Sequence, residues 1–181
     1  MTGPDLNGLS KEQLKDVVHS LLWQLRLTDA FWFIYTEKRF GLAAAEELNA
    51  ETWSKVGKLA AREIRERFKI TQTGLDGFLE AFNLFCWTMM VDYQVERISH
   101  NQLLLSVASC PAQEGRKKHG LGEYKCKDMH HKEFSGFAGE IDPRIKVDCV
   151  FAPPDSHPRD MYCKWRFTVS EEDAQGLSSE Q

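Results

Sequence analysis

No apolar run in this sequence approaches the ~18 uninterrupted residues that a membrane-spanning helix needs, so a membrane protein of the helical kind is not expected. There is no polybasic tail, and the formal net charge is −4. A sequence-independent grip on nucleic acid requires clustered Lys and Arg, so no nucleic-acid partner is expected either. The opening residues Met1-Thr2-Gly3-Pro4-Asp5 lack the basic stretch and apolar run of a secretory leader. The expected compartment is therefore the cytoplasm, where cysteines persist as thiols, metal ligands or catalytic groups rather than as bridges. No C-x2–4-C pair occurs among the five cysteines, so an ordinary zinc knuckle is excluded.

What is present points to an α+β fold, with a helical N-terminal half packed on a four-stranded, mainly antiparallel sheet. At 181 residues the chain suits one domain, expected over residues 1–170. The acidic, Ser-rich segment 171–181 has little to bury and is expected to remain an unfolded tail. Ser10 and Gln13 form a capping box, after which Leu14, Val17, Val18, Leu21, Leu22 and Leu25 recur at helical spacing. The pattern runs on to Phe40 and stops at Gly41. Between Ala30 and Tyr35 this helix is apolar on all sides, which requires cover from the core, a ligand or a second copy. A homodimer is expected on that ground. A second helical region spans 42–68, with a break near Leu48–Ala50 where Asn49 caps the second piece. A third helix carries Phe78, Leu79, Phe82, Phe85, Cys86 and Met89 on one stripe.

The period then drops to two. Val91, Tyr93 and Val95 alternate with polar residues as a half-buried strand, and Leu103–Cys110 returns beside it. Short helices are expected over 111–118 and 128–139. The last hairpin pairs 144–151 with 161–167 around a loop centred on Ser156. In that register Cys149 faces Cys163 directly, and Asp148 faces Lys164 on the other side of the sheet.

Three groups of residues carry candidate chemistry. Cys110, Cys126, Cys149 and Cys163, with His157 nearby, form a possible Zn set if the fold gathers them. Otherwise Cys149 and Cys163 fill the core as small apolar side chains. The loop Ala152–Pro158 contains three of the chain's six prolines. Its fixed φ angles would hold Asp155 and His157 in place for acid–base work or ligand orientation. The aromatic group Trp23, Phe31, Trp32, Tyr35 and Trp53 can line a pocket or pack in the core. Trp32, Tyr35 and the locally basic Arg116 are the candidate ligand contacts.

Several spaced elements carry a family resemblance. They are Ser109-Cys110-Pro111, Gly120-Leu121-Gly122-Glu123, Cys126, Ile141-Asp142-Pro143-Arg144-Ile145, Cys149, Pro153-Pro154-Asp155 and Cys163-Lys164-Trp165, together with the aromatic stretch 29–41. In these the chain resembles a prokaryotic family of mostly uncharacterised proteins similar to L-2-amino-thiazoline-4-carboxylic acid hydrolases. The resemblance implies an α+β fold with a cysteine-bearing sheet and water addition to a cyclic C–N bond of a small carboxylated substrate. Two functions follow as expectations. One is such a hydrolase, with Cys149 or Cys163 as nucleophile or metal ligand, His157 as base and Asp155 as its orienter. The other is a non-catalytic sensor module that holds a small ligand or a metal in a cysteine-lined site.

Overall fold

The protein's structure is a computed structural model that describes residues 5–170. The expected tail, 171–181, lies outside the described residues. A short 3₁₀ turn, Leu6–Gly8, leads into α1 (Lys11–Phe40), whose N-terminus carries the Ser10/Gln13 capping box. Gly41 adopts φ 89°, a conformation open to glycine, and reverses the chain into α2 (Leu42–Arg67). Then follow α3 (Gly74–Phe82), a 3₁₀ turn at Cys86–Met89, the hairpin β1 (Tyr93–Ser99) and β2 (Gln102–Val107), α4 (Pro111–Lys118) and α5 (Lys127–Ile141). A second hairpin, β3 (Ile145–Phe151) and β4 (Cys163–Val169), ends the fold.

The four strands form one antiparallel sheet in the order β1-β2-β4-β3. The helices cover one face of it, as the α+β reading requires. The covered face presents Leu103, Leu105, Val107, Cys163, Trp165, Phe167 and Val147, all buried. Against it α5 lays Phe134 and Phe137, and α3 adds Phe78 and Phe82. These rings meet edge-on or tilted, for example Phe134 against Trp165 at 5.3 Å and Phe78 against Phe167 at 4.6 Å between centroids. Such geometries suit the quadrupoles of aromatic rings. The far side of α5 meets α2, and α2 in turn carries α1.

Three expectations are corrected here. The helix over 42–67 is unbroken: Asn49 sits in the interior of α2 with 4% of its surface exposed, and caps nothing. The third helix stops at Phe82, so Cys86 and Met89 belong to a separate turn rather than to its stripe. The last hairpin is offset by two residues. Cys149 pairs with Trp165 and Asp148 with Arg166, while Cys163 pairs with Val107 of β2. An offset of two preserves which face each side chain occupies, so alternation alone cannot detect it. Met161 and Tyr162 stay in the loop because the Tyr162 N–H donates to the Val107 carbonyl (2.9 Å), anchoring the entry to β4 on β2. A bulge between Cys149 and Phe151 takes up the remainder.

The apolar run 30–35 divides. Phe33 points inward and is buried, Ile34 is half-buried, and Phe31, Trp32 and Tyr35 are exposed. Along the outer side of α1, Leu14, Val18, Leu21, Leu25, Thr28, Trp32 and Tyr35 recur at alternating steps of four and three, and all are exposed. That is the spacing of a helix–helix seam.

Asp142, at the end of α5, ties three elements together. Its carboxylate accepts from the Gly74 N–H (2.8 Å) at the start of α3 and from the Arg144 backbone and guanidinium (2.7–3.0 Å). Above all the Arg144 guanidinium holds its pKa down to about 2. A carboxylate with a depressed folded pKa stabilises the protein above its unfolded value near 4, and that stabilisation fades as pH falls through 2. Thermal melts between pH 7 and pH 2 should lose about 2 kcal/mol from this group. Asp142→Asn should flatten that part of the profile and lower the neutral-pH melting temperature.

Candidate functional site

A cavity of 320 Å³ lies between the C-terminal half of α1, α2, the 3₁₀ turn, the sheet, α4 and α5. It lies within the ~300–1,000 Å³ range of small-molecule sites. Its walls are mainly apolar and aromatic: Phe33, Ile34, Trp53, Trp87, Val107 and Phe134 among them. Helical spacing explains how α1 reaches it. Asp29 and Ala30 each lie three or four residues from both Arg26 and Phe33, so the four share a face.

Polar groups collect on the side of the cavity where α1, α2 and α5 approach. Asp29 Oδ1 accepts a hydrogen bond from the Trp53 indole (2.9 Å), and Trp53 packs against Trp87 at 4.9 Å between centroids. Burial raises the Asp29 pKa, and the Trp53 bond offsets this in part. His130 stacks on Phe134 and shares its Nδ1 with Glu133 Oε2 (2.8 Å). Its Nε2 makes no hydrogen bond. Glu133 is fully buried, and its Oε1 has no partner. Asn49 stands one helical turn before Trp53; its amide lines the cavity and makes no hydrogen bond. Asn49, Asp29, His130 and Glu133 were not expected as site residues. The available signal was Asp29, a lone carboxylate within an otherwise apolar stretch of helix.

The expected site residues are distributed around this cavity rather than gathered in it. Cys110 and Cys163 line it. Cys126 is buried and accepts from Gln113 Nε2 at 3.5 Å. Cys149 lies farther along the sheet, near the Lys127–Asp155 ion pair. Among the described residues no three His, Cys, Asp or Glu side chains are placed to share an ion. The cysteines and His157 therefore do not fit a tetrahedral Zn site as they stand. His157 and Asp155 turn to different partners. The His157 ring bonds the Pro158 carbonyl (2.9 Å) and Glu123 (3.2 Å), which raise its pKa, while Asp155 pairs with Lys127 (2.8 Å). The proline loop is thus clamped onto the segment between α4 and α5.

Of the candidate ligand contacts, only Arg116 reaches the cavity. It is buried over the Phe33 and Tyr124 rings, with its guanidinium held by both Glu37 oxygens and the Gly122 carbonyl. Trp32 and Tyr35 line a separate, shallow groove on the outside of α1 with Thr36, Lys38, Arg39 and Phe40.

Burial dominates the thiols. It pushes Cys163 up to about 12 and Cys149 up to about 11, and raises Cys110 and Cys126 as well. The thiolate is the nucleophile, so at neutral pH these sulfurs are protonated and unreactive. In native protein Cys149 should alkylate about 100-fold more slowly than a free cysteine, in proportion to its thiolate fraction. Iodoacetamide labelling followed by mass spectrometry, native against urea-unfolded, measures this. One fast-labelling site in the native protein would contradict the burial argument.

A family model described as a family of unknown function (DUF6125) matches residues 7–169. Among curated proteins none matches the chain. Among solved structures, the chain is similar to a trafficking protein particle complex subunit 3 from Naegleria fowleri covalently bound to palmitic acid. The two share 13% identity with a TM-score of 0.44, over 88% of this chain and 95% of that one.

Proposed function

The chain belongs to that family of unknown function, and from its cavity we propose that it is a small-molecule-binding protein. The observation that carries this reading is an apolar cavity whose wall includes an unpartnered buried amide, Asn49, beside a half-buried carboxylate, Asp29. Buried polar groups are normally paired, and a ligand that pairs them recovers what their burial costs. Binding is favoured over hydrolysis of a cyclic C–N bond because the cavity's thiols, Cys110 and Cys163, are held protonated by burial. His157, the expected base, is engaged with Glu123 and the Pro158 carbonyl instead.

The test is titration with an uncharged apolar dye such as N-phenyl-1-naphthylamine, following its emission. One site per chain with micromolar affinity is the expected result. Gly115 lines the cavity, and a Cβ placed there meets nothing within 4 Å. Gly115→Leu should therefore fill the space, weaken dye binding about tenfold and leave the melting temperature within a few degrees. Dye binding that is unchanged in this variant would place the ligand elsewhere.

A further inference from the structure

We infer that the ligand of this cavity is an organic amine: an apolar body carrying an ammonium group that sits against Asp29, Asn49 and the Trp53–Trp87 pair. The inference rests on the small-molecule-binding reading and adds the chemical class. The charges decide it. The polar wall presents one carboxylate, Asp29, with His130; Glu133 is bonded to His130 but lies outside the lining, close enough to act on Asp29. His130 and Glu133 are bonded to each other, so Asp29, with one oxygen free of protein donors, is the carboxylate offered to a ligand. The buried cation in the cavity, Arg116, does not alter this, because Glu37 neutralises it and both Glu37 oxygens are occupied by it. Arg26 lines the mouth but is exposed to solvent.

The hydrogen-bond capacity agrees. Asp29 Oδ2, the Asn49 side-chain oxygen and, in the neutral tautomer bonded to Glu133 through Nδ1–H, His130 Nε2 are acceptors without donors. An ammonium group supplies three donors for these acceptors; having no acceptor, it leaves the Asn49 NH2 unserved. The Trp53 indole fixes Asp29 in place and turns that ring and its neighbour Trp87 towards the same corner. Tryptophan faces attract cations. A carboxylated or phosphorylated ligand would meet like charge at Asp29 instead.

The experiment compares n-octylamine, 1-octanol and octanoate, which share one chain length and differ in head-group charge, by calorimetry and tryptophan emission. The amine should bind at least tenfold more tightly than the alcohol, and octanoate more weakly than either. Asp29→Asn keeps an oxygen for Trp53 and should abolish the amine's tenfold advantage over the alcohol, both being measured on the variant. Octanoate binding as tightly as the amine, or an amine affinity unchanged in Asp29→Asn, overturns the inference. Should that variant fail to fold, the order of the three probes on the natural sequence decides alone. If the alcohol binds and the amine has no advantage, the cavity reading stands and the amine inference falls. If none of the three binds, both fall.

Discussion

Everything at the candidate site depends on how closely α5 can approach α2. A Cβ on Gly57 of α2 would come within 2.9 Å of the Glu133 carbonyl oxygen, and one on Gly136 of α5 within 3.4 Å of the Ser54 carbonyl. Glycines at these positions let backbone press on backbone, and any larger residue at Gly57 would have to force the pair apart. The approach places α5 between the sheet and α2, so its Phe134 and Phe137 face the sheet while Glu133 faces α2. One turn along each helix from that contact lie Trp53 and His130. The polar wall of the cavity is thus a by-product of a packing constraint. Glu133 shows the cost: one of its oxygens is buried without a partner, a defect of about 1–3 kcal/mol that the surrounding aromatic core has to offset.

The proline loop shows how rigidity was legible in the sequence and its purpose was not. Three prolines announce a fixed loop, and an acid and an imidazole within it suggest chemistry. In the fold those two side chains are fasteners. Asp155 holds Lys127, the Pro153 carbonyl accepts from the Lys127 N–H (3.0 Å), and His157 holds Glu123, which also pairs with Lys117. Together they fix where α5 begins and therefore where His130 falls. Gln113 does the same from the other side, spanning the Tyr124 backbone with both ends of its amide. A charged or polar side chain in a stiff loop is therefore weak evidence of catalysis until its partners are known, because an ion pair consumes the reactivity it advertises.

Features governed by local periodicity were legible in the sequence. The capping box, the Gly41 stop, both hairpins and the short helix 111–118 follow from spacing and turn chemistry alone. Features governed by partners distant in the chain were not. The two-residue offset of the last hairpin arises from β2, which pairs with β4 and was invisible to alternation within the hairpin. Cys126 was grouped with the other thiols by residue type, whereas the fold assigns it to Gln113. Asn49 departs furthest from what its local sequence suggests. An asparagine invites the reading of a helix cap, yet the contacts of α2 with α5 and α1 carry the helix straight through it. What remains is a buried amide facing an aromatic cavity, an arrangement that has no local sequence signature.

Asp29 brings these strands together. A carboxylate in the middle of an apolar helical run is unfavourable to bury, and a single indole hydrogen bond meets only one of its oxygens. Placed one residue earlier, on the outer side of α1 with Trp32 and Tyr35, it would be hydrated. It sits instead on the inner face with Phe33, against Trp53, within the electrostatic reach of Glu133 and His130. Asn49 and Glu133 carry the same kind of deficit in the same neighbourhood, as does the Trp165 indole N–H farther off in the sheet, while Gln113, Arg116 and Asp142 are well paired. The unpaired oxygen of Asp29 and the unpaired amide of Asn49 both line one cavity, so hydrogen bonding that the fold leaves open gathers where a ligand can supply it. The proposed site rests on that concentration more than on the shape of the cavity or the presence of cysteines.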